Sequence, residues 1–279
     1  MIPAFQKDDS LLADIATPGC ADELRIWWLG QSGFLLRHGG SLLLLDPYLS
    51  DSLTRKYAAT DKPHTRMTER VVAPEKLHDI AVVTSSHNHT DHLDSETLLP
   101  IFAANPRAQF VIPEANREFV AERLRCEPSW PVGLDDGRTV VVNGWQITGI
   151  AAAHNELQTD EAGRHRFLGS IIRRGPWTLY HSGDTVLYPG LAESLSEYSV
   201  DVAFLPINGN RPERRVAGNL DGHEAAQLAA DIGARWAVPH HFEMFEFNTA
   251  DPNELFVPTC KELGVPHRVM RAGEGWTVS

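Results

Sequence analysis

Cysteine is scarce in this chain, with three in 279 residues, at positions 20, 126 and 260. An odd number at wide spacing excludes a disulfide framework and a cysteine-based zinc knuckle, and it fits a reducing compartment, so a cytoplasmic location is expected. Long apolar runs are missing too. None approaches the roughly 20 residues that cross a bilayer. The opening stretch, MIPAFQKDDSLLADIATPGC, lacks the basic-then-apolar order of a secretory leader. Positive charge is the third shortage: 25 Lys and Arg stand against 37 Asp and Glu, a formal net charge of −12. A nucleic-acid binder presents a basic face, and the arginine patches here, RR at 173–174 and RPERR at 211–215, are short. A small molecule, with or without a phosphate, is therefore the expected partner. No nucleic acid and no membrane are expected, and a homo-oligomer is the expected assembly.

What remains is enough for a sizeable core. Hydrophobic residues make up 42% of the chain, and no low-complexity linker divides it, so residues 23–279 read as one domain behind a lead-in of 1–22 with a short helix around Leu11 to Ile15. Two stretches share one grammar. Gly33 to Asp46 and Gly169 to Asp184 each run as glycine, apolar strand, arginine, glycine-containing turn (RHGG or RRGP), apolar strand, aspartate. They read as two hairpins and as a weak internal repeat of two similar halves. Further strands are expected at 80–86, 108–113, 139–142, 145–153, 200–207 and 234–239. Helices are expected over 94–105 from an Asp94 or Ser95 cap, over 113–125 with Pro113 in the first turn, over 221–233 from an Asp221 cap, and over 251–264, which Pro258 must kink or split. Hairpins together with strand–helix alternation point to a layered mixed α/β domain.

The densest chemistry is SSHNHTDHLD at 85–94, where His87, His89, Asp91 and His92 fall within six residues. Imidazole is costly to bury unless both nitrogens find partners, and four potential ligands this close point to metal. His87 and His89, two apart, can share a side of an extended segment. Asp91 and His92 are adjacent and diverge, which suits two ions better than one. More ligands are needed, and three strand ends offer them: His154 after WQITGIAAA, Asp184 in HSGDT, and the His240–His241 pair in VPHHF. His38, His64, His78, His165 and His267 read as structural or surface histidines, and His181 and His223 are open.

These elements resemble the metallo-β-lactamase superfamily. Its H-x-H-x-D-H signature is present at 87–92, followed in family order by a separate His (His154), a separate Asp (Asp184) and a final His (His241). The resemblance implies an αββα sandwich, two mixed β-sheets flanked by helices, with metals at one edge. It implies that His87, His89 and His154 hold one divalent ion, that Asp91, His92 and His241 hold the other, and that Asp184 bridges them. His240 stays an alternative to His241. Asp46 matches a family aspartate that supports the ligand loop. The ions are expected to be Zn or Mn, with Fe also accepted by such ligands. The stretches WWLGQSGFLL, SHNHTDHLD, LYHSGDT, INGNRPERR and VPHHFEMFEFNTADP look like the bacterial L-ascorbate 6-phosphate lactonase group. SHNHTDHLD also looks like the phospholipase D-type hydrolases of N-acyl phosphatidylethanolamine. His89 argues against the flavodiiron branch, which carries Glu there.

The expected function is a metal-dependent hydrolase in which two ions activate a bridging water to open a small lactone or ester, with Asp91 handling its proton. Asn208 and Arg211, in a donor-rich loop, are the expected substrate contacts. A phosphodiesterase or nuclease of the same fold is the alternative, and a non-catalytic scaffold is a third reading, disfavoured by the complete ligand set.

Overall fold

Between Leu24 and Gly30 the side chains alternate between two apolar environments. Ile26 and Trp28 enter one buried cluster, and Trp27 and Leu29 enter another. A pleat that buries both faces needs a layer on each side. A computed structural model, which describes residues 1–279, supplies those layers. The first sheet holds β1 (Leu24–Gly30), β2 (Gly33–His38), β3 (Ser41–Leu45), β4 (Ile80–Thr84), β5 (Gln109–Pro113) and β6 (Val132–Leu134). The second holds β7 (Thr139–Val142), β8 (Trp145–Ala151), β11 (Leu168–Arg174), β12 (Trp177–His181), β13 (Val202–Pro206) and β14 (Trp236–His240). A short ribbon, β9 (Ala153–His154) with β10 (Glu156–Leu157), lies between β8 and β11 in the chain, and the final strand, β15 (Gly275–Val278), returns to pair with β1 in the first sheet.

The inner faces of the two sheets meet in one large core, where Phe34 of β2 and Phe204 of β13 pack with ring centroids 4.4 Å apart. Helices α1 (Asp8–Ala16), α3 (Ser95–Ala104) and α4 (Arg117–Leu124) cover the outer face of the first sheet through Leu11, Leu98, Ile101, Val120 and Leu124. Helices α5 (Leu191–Leu195), α6 (Gly222–Asp231) and α7 (Phe256–Leu263) add Leu191, Leu228 and Phe256 to the core on the side of the second. The remaining helix, α2 (Ser52–Tyr57), follows β3. This is the αββα sandwich that the sequence resemblance implies. No helix is long and apolar enough to cross a membrane.

The two-half pattern has a counterpart in the sheets. Strands β2 and β3 pair antiparallel, and β4 and β5 then add parallel. Strands β11 and β12 pair antiparallel, and β13 and β14 then add parallel. The two hairpin tips touch, with Arg174 Nε donating to the His38 carbonyl at 3.2 Å. A Cβ at Gly175 would lie 2.5 Å from the His38 ring, so only glycine fits there. Asp46 and Asp184 follow the opposite ends of these hairpins.

Side-chain caps set two of the helix starts. Asp94 caps α3, and Asp221 and Glu224 form a reciprocal capping box on α6. Two helices differ from expectation. Pro258 neither kinks nor splits α7, because the helix begins only at Phe256 and leaves the proline in the first turn, where it forfeits no intrahelical bond. Pro113 closes β5, and a 3₁₀ turn at Glu114–Asn116 precedes α4.

One carboxylate of the lead-in gathers three donors. Asp14 of α1 accepts from Trp27 Nε1 at 2.8 Å, Gln6 Nε2 at 2.9 Å and Arg25 Nη2 at 2.6 Å. Burial opposes its ionisation, but the Trp27, Gln6 and Arg25 donors prevail and hold its carboxyl below the ordinary value. A depressed folded-state pKa gives stability that is present above the unfolded value, roughly 4, and is lost as pH falls through the folded one. Asp14→Asn is therefore expected to cost about 1 kcal/mol near neutral pH and to flatten the loss of Tm below about pH 4. Thermal melts followed by circular dichroism across that range check it, and an unchanged acid limb would show that the carboxylate carries no such load.

Candidate metal centre

The loop after β4 owes its shape to hydrogen bonds made by its own backbone. It is not extended, as the two-residue spacing suggested. Leu93 N–H donates to the His89 carbonyl at 2.8 Å, a turn that leads into the Asp94 cap of α3. The turn still brings the rings of His87 and His89 to 4.6 Å between centroids. Arg123 of α4 clamps the loop from outside, donating to the carbonyls of Asn88 and Leu93 at 2.9 and 3.1 Å.

The other candidates arrive from strand ends at the same edge. His154 ends β9, Asp184 lies three residues after β12, and His241 follows β14 directly. Gly183, at φ +59°, is required beside Asp184, since a Cβ there would lie 2.7 Å from Ser86 Cβ. The geometry brings all seven together. Ligand atoms of His87, His89 and His154 lie within 4.8 Å of one another, as do those of Asp91, His92 and His241, and those of His87, His92 and Asp184. Asp184 touches both groups: Oδ1 is 3.3 Å from His92 Nε2, and Oδ2 is 3.4 Å from His241 Nε2 and 3.6 Å from His154 Nε2.

The structure separates the two adjacent histidines. His241 adopts φ +60° and turns its Nε2 toward Asp91 and Asp184, at 3.5 and 3.4 Å. His240 is buried on the other side, stacked on His181 with centroids 5.1 Å apart and its Nδ1 3.1 Å from Ser32 Oγ. His181 is spent on the Ser32 carbonyl and the Gly183 amide, so it too lies outside the cluster.

Second partners fix which imidazole nitrogen is free. His92 Nδ1 donates to Asp46 Oδ2 at 2.7 Å, and Asp46 also accepts from the Ser86 amide at 3.0 Å, the Ser86 hydroxyl and the Thr84 hydroxyl at 3.3 Å. His154 Nδ1 donates to the Gly218 carbonyl at 2.8 Å. In both rings Nε2 is the nitrogen left facing the cluster, the arrangement that metal-ligating histidines use. Phe167 packs on His87, His89 and His154 and gives this side an apolar wall.

The residues fit a cation on two grounds. His87 Nε2, His92 Nε2 and Asp184 Oδ1 are buried without a hydrogen-bond partner, a costly arrangement that a bound ion would satisfy. The charge balance agrees. Burial holds His87 and His154 as neutral imidazoles. Burial works against ionisation of Asp184, but His241 and His92 hold its carboxyl well below the ordinary range, and His92 and His241 do the same for Asp91. Burial likewise resists protonation of His92 and His241, yet the two carboxylates push His92 well up and His241 up to about 9. The carboxylates demand positive charge, and protons meet the demand where a metal would otherwise do so.

Sequence reasoning missed Gln31. It lies in the β1–β2 turn at φ +51°, its Nε2 donates to Asp91 Oδ2 at 2.8 Å, and it lies 3.0 Å from His241 Nε2. The only sequence signal was its place between Gly30 and Gly33. The cluster opens into a cavity of about 510 Å³, lined by His89, Asp91, His154, Asp184 and His241 and also by Lys56, Tyr57, His64, Phe245, Phe247 and Asn248. His64, read from sequence as structural or surface, is thus a cavity residue. Asn208 and Arg211 are not brought to this cavity. Asn208 is buried, bonded to Asn219 and Asn248, and with Arg211 it borders a separate cleft of about 270 Å³ near Asp221, Asp251 and Glu254.

A family model described as a beta-lactamase superfamily domain matches residues 42–242, more than half of the chain and all seven ligand candidates. A UPF0173 metal-dependent hydrolase from Methanosarcina mazei is 30% identical over 257 residues, covering 90% of this chain and 97% of its own. Another from Opitutus terrae is 29% identical over 252 residues, covering 90% and 98%. Among solved structures, the metallo hydrolase Igni18 from Ignicoccus hospitalis superposes with a TM-score of 0.66 at 23% identity, covering 92% of this chain and 99% of that one.

Proposed function

The chain belongs to the metallo-β-lactamase superfamily and to its UPF0173 metal-dependent hydrolases, and on that premise we propose that it holds two divalent ions and opens a small lactone or ester, in the manner of the L-ascorbate 6-phosphate lactonase group. The observation that carries the reading is the pair of three-residue ligand groups joined through Asp184. His87, His89 and His154 would hold one ion and Asp91, His92 and His241 the other, with Asp184 between them. Zn, Mn or Fe suits this donor set. Ions bound there supply Lewis-acid polarisation of the scissile carbonyl and ease the loss of a proton from water.

The chain's own groups supply the rest. Gln31 occupies Asp91 Oδ2, so Oδ1 is the atom left to take the proton of the attacking water and return it to the departing alkoxide. Water adds its oxygen to the carbonyl carbon, the ring C–O bond breaks, and the proton ends on the released hydroxyl. Lys56 borders the cavity with no carboxylate partner, its ammonium 5.1 Å from the Tyr57 ring centre. It is a cation available to a substrate phosphate or carboxylate, beside Arg123, which also lines the cavity but is bonded to the Asn88 and Leu93 carbonyls.

Proton release by the Mn- or Zn-loaded protein tests this over sugar lactones with and without phosphate, simple esters and phosphodiesters, with Asp91→Ala as control. Lactone turnover absent from the control supports the reading. Turnover of phosphodiesters alone replaces it with the phosphodiesterase alternative. Lys56→Ala is expected to raise KM for a phosphorylated lactone about tenfold or more, the worth of one charge-assisted hydrogen bond. An unchanged KM would remove Lys56 from the substrate contacts.

A further inference from the structure

One residue outside the seven ligand candidates holds two of them, each in a different way. Gln31 gives its side chain to Asp91, with Nε2 donating to Oδ2 at 2.8 Å. It gives its main-chain carbonyl to His241, whose N–H donates at 3.1 Å. The same carbonyl accepts from Trp28 Nε1 at 3.0 Å, and the Trp28 ring stacks on Phe242, the next residue after His241, with centroids 4.5 Å apart. Gln31 and His241 are both left-handed, at φ +51° and +60°. Side chains other than glycine keep that conformation only where their surroundings impose it. Here the two residues clasp each other, and the Trp28–Phe242 stack joins the same two segments.

The amide has one tolerable orientation. Gln31 is buried, and its Oε1 has no hydrogen-bond partner. Turning the amide over would set Oε1 against a carboxylate oxygen at 2.8 Å, two acceptors with no hydrogen between them, and would orphan the NH2 group instead. An unpaired buried acceptor is costly. The chain carries that cost here and keeps Nε2 on Asp91.

The contact is selective between the two ligand groups. Asp91 Oδ2 lies 3.6 Å from His92 Nε2 and 3.5 Å from His241 Nε2. Ligand atoms about 2.1 Å from one tetrahedral ion stand about 3.4 Å apart, so Oδ2 is the oxygen that an ion in this group would take. A carboxylate oxygen has two lone pairs, which lets an ion and the Gln31 N–H share it. Gln31 bonds to none of His87, His89 and His154.

We propose that Gln31 is the positioning residue of the Asp91–His92–His241 ion alone, so that this ion can be weakened while the His87–His89–His154 ion is kept. Its amide fixes Asp91 and its carbonyl fixes His241, which turns two ligands from distant parts of the chain into one prearranged pair. The inference rests on the reading of the site as a centre for two ions.

The test titrates the chelator-treated full-length protein with Mn and counts the bound ions by calorimetry and electron paramagnetic resonance. Gln31→Met keeps the side-chain length and removes the N–H donor. It is expected to hold one ion within about threefold of wild type and to weaken the other by about 10- to 100-fold, the share that such outer partners carry. Gln31→Asn suits a left-handed turn but is one methylene too short for Asp91, so it should lose the same ion in a chain that folds at least as well. Two further backgrounds identify the weakened ion. With His89→Ala the remaining ion should show the full Gln31→Met loss, and with His241→Ala it should be indifferent to that change. A merely structural role would weaken both ions together. Equal weakening of both, or a second ion that binds as tightly as in wild type or tighter, overturns the proposal and leaves the two-ion centre standing. Wild type that takes up fewer than two ions overturns the two-ion reading and the proposal with it.

Discussion

Asp184→Ala is expected to strip metal from the protein and to lower kcat/KM by at least about a thousandfold. The carboxylate lies within 3.3 to 3.6 Å of His92, His241 and His154 and is the one group shared by both ligand sets. Its loss removes a ligand and also leaves three imidazoles facing one another with Asp91 as the remaining carboxylate on the cluster side of His92. A cation then meets fewer donors and less negative charge. Lewis-acid stabilisation is worth several kcal/mol of barrier, and about 1.4 kcal/mol is tenfold in rate. Metal content by mass spectrometry and hydrolysis should fall together while the circular dichroism spectrum stays native. Full activity with a normal metal load would sink the assignment of the centre.

Asp46→Asn is expected to cost about 10- to 100-fold in metal affinity, although the substitution is nearly isosteric. Among the ligand candidates Asp46 bonds His92 alone, and from the side away from the cluster. It accepts the His92 Nδ1 proton at 2.7 Å and so keeps Nε2 unprotonated toward the cluster. An asparagine amide in that place sets one donor against another, and the imidazole relieves the clash by moving its proton to Nε2, the wrong side for a ligand. Partners of this kind typically carry that 10- to 100-fold share of affinity. Asp46→Ala should be worse for the fold as well. Ser86, Thr84 and His92 would lose a common buried acceptor, and breaking such a buried network costs about 3 to 5 kcal/mol. A chelator competition titration on Asp46→Asn decides it: wild-type affinity would mean that the His92 tautomer is set by something else.

These two aspartates also mark how far the sequence could be read. The local run His87 to His92 was legible because its ligands are adjacent in the chain. The hairpins were legible because glycines mark their turns and apolar residues fill their strands. His154, Asp184 and His241 were legible as polar residues at strand ends, and the order of motifs ranked them. The preference for His241 over His240 came from the resemblance alone; its physical reason, one left-handed backbone angle after β14, was not legible. Gln31, His64 and Asn248 were invisible for a related reason. Their neighbours lie 60, 7 and 40 residues away, at Asp91, Tyr57 and Asn208, and no periodic signal runs between such partners. Asn208 was picked for the right composition and the wrong reach: its amide ends on Asn248, short of the cavity.

Neither ligand group is confined to one hairpin half. His87 and His89 follow β4 whereas His154 follows β8, and Asp91 and His92 wait for His241 beyond β14. On the ribosome this imposes a schedule. Domains are made from the N-terminus onward at about 5–20 residues per second, so a nascent chain carries the H-x-H-x-D-H loop for many seconds before residue 241 exists, and the closing strand β15, which pairs with β1, comes later still. An early transition metal would meet an incomplete ligand set. The full set of seven candidates is complete only once residue 241 has been made, although His87, His89 and His154 are all present by residue 154, so the shared centre can be assembled only late in synthesis.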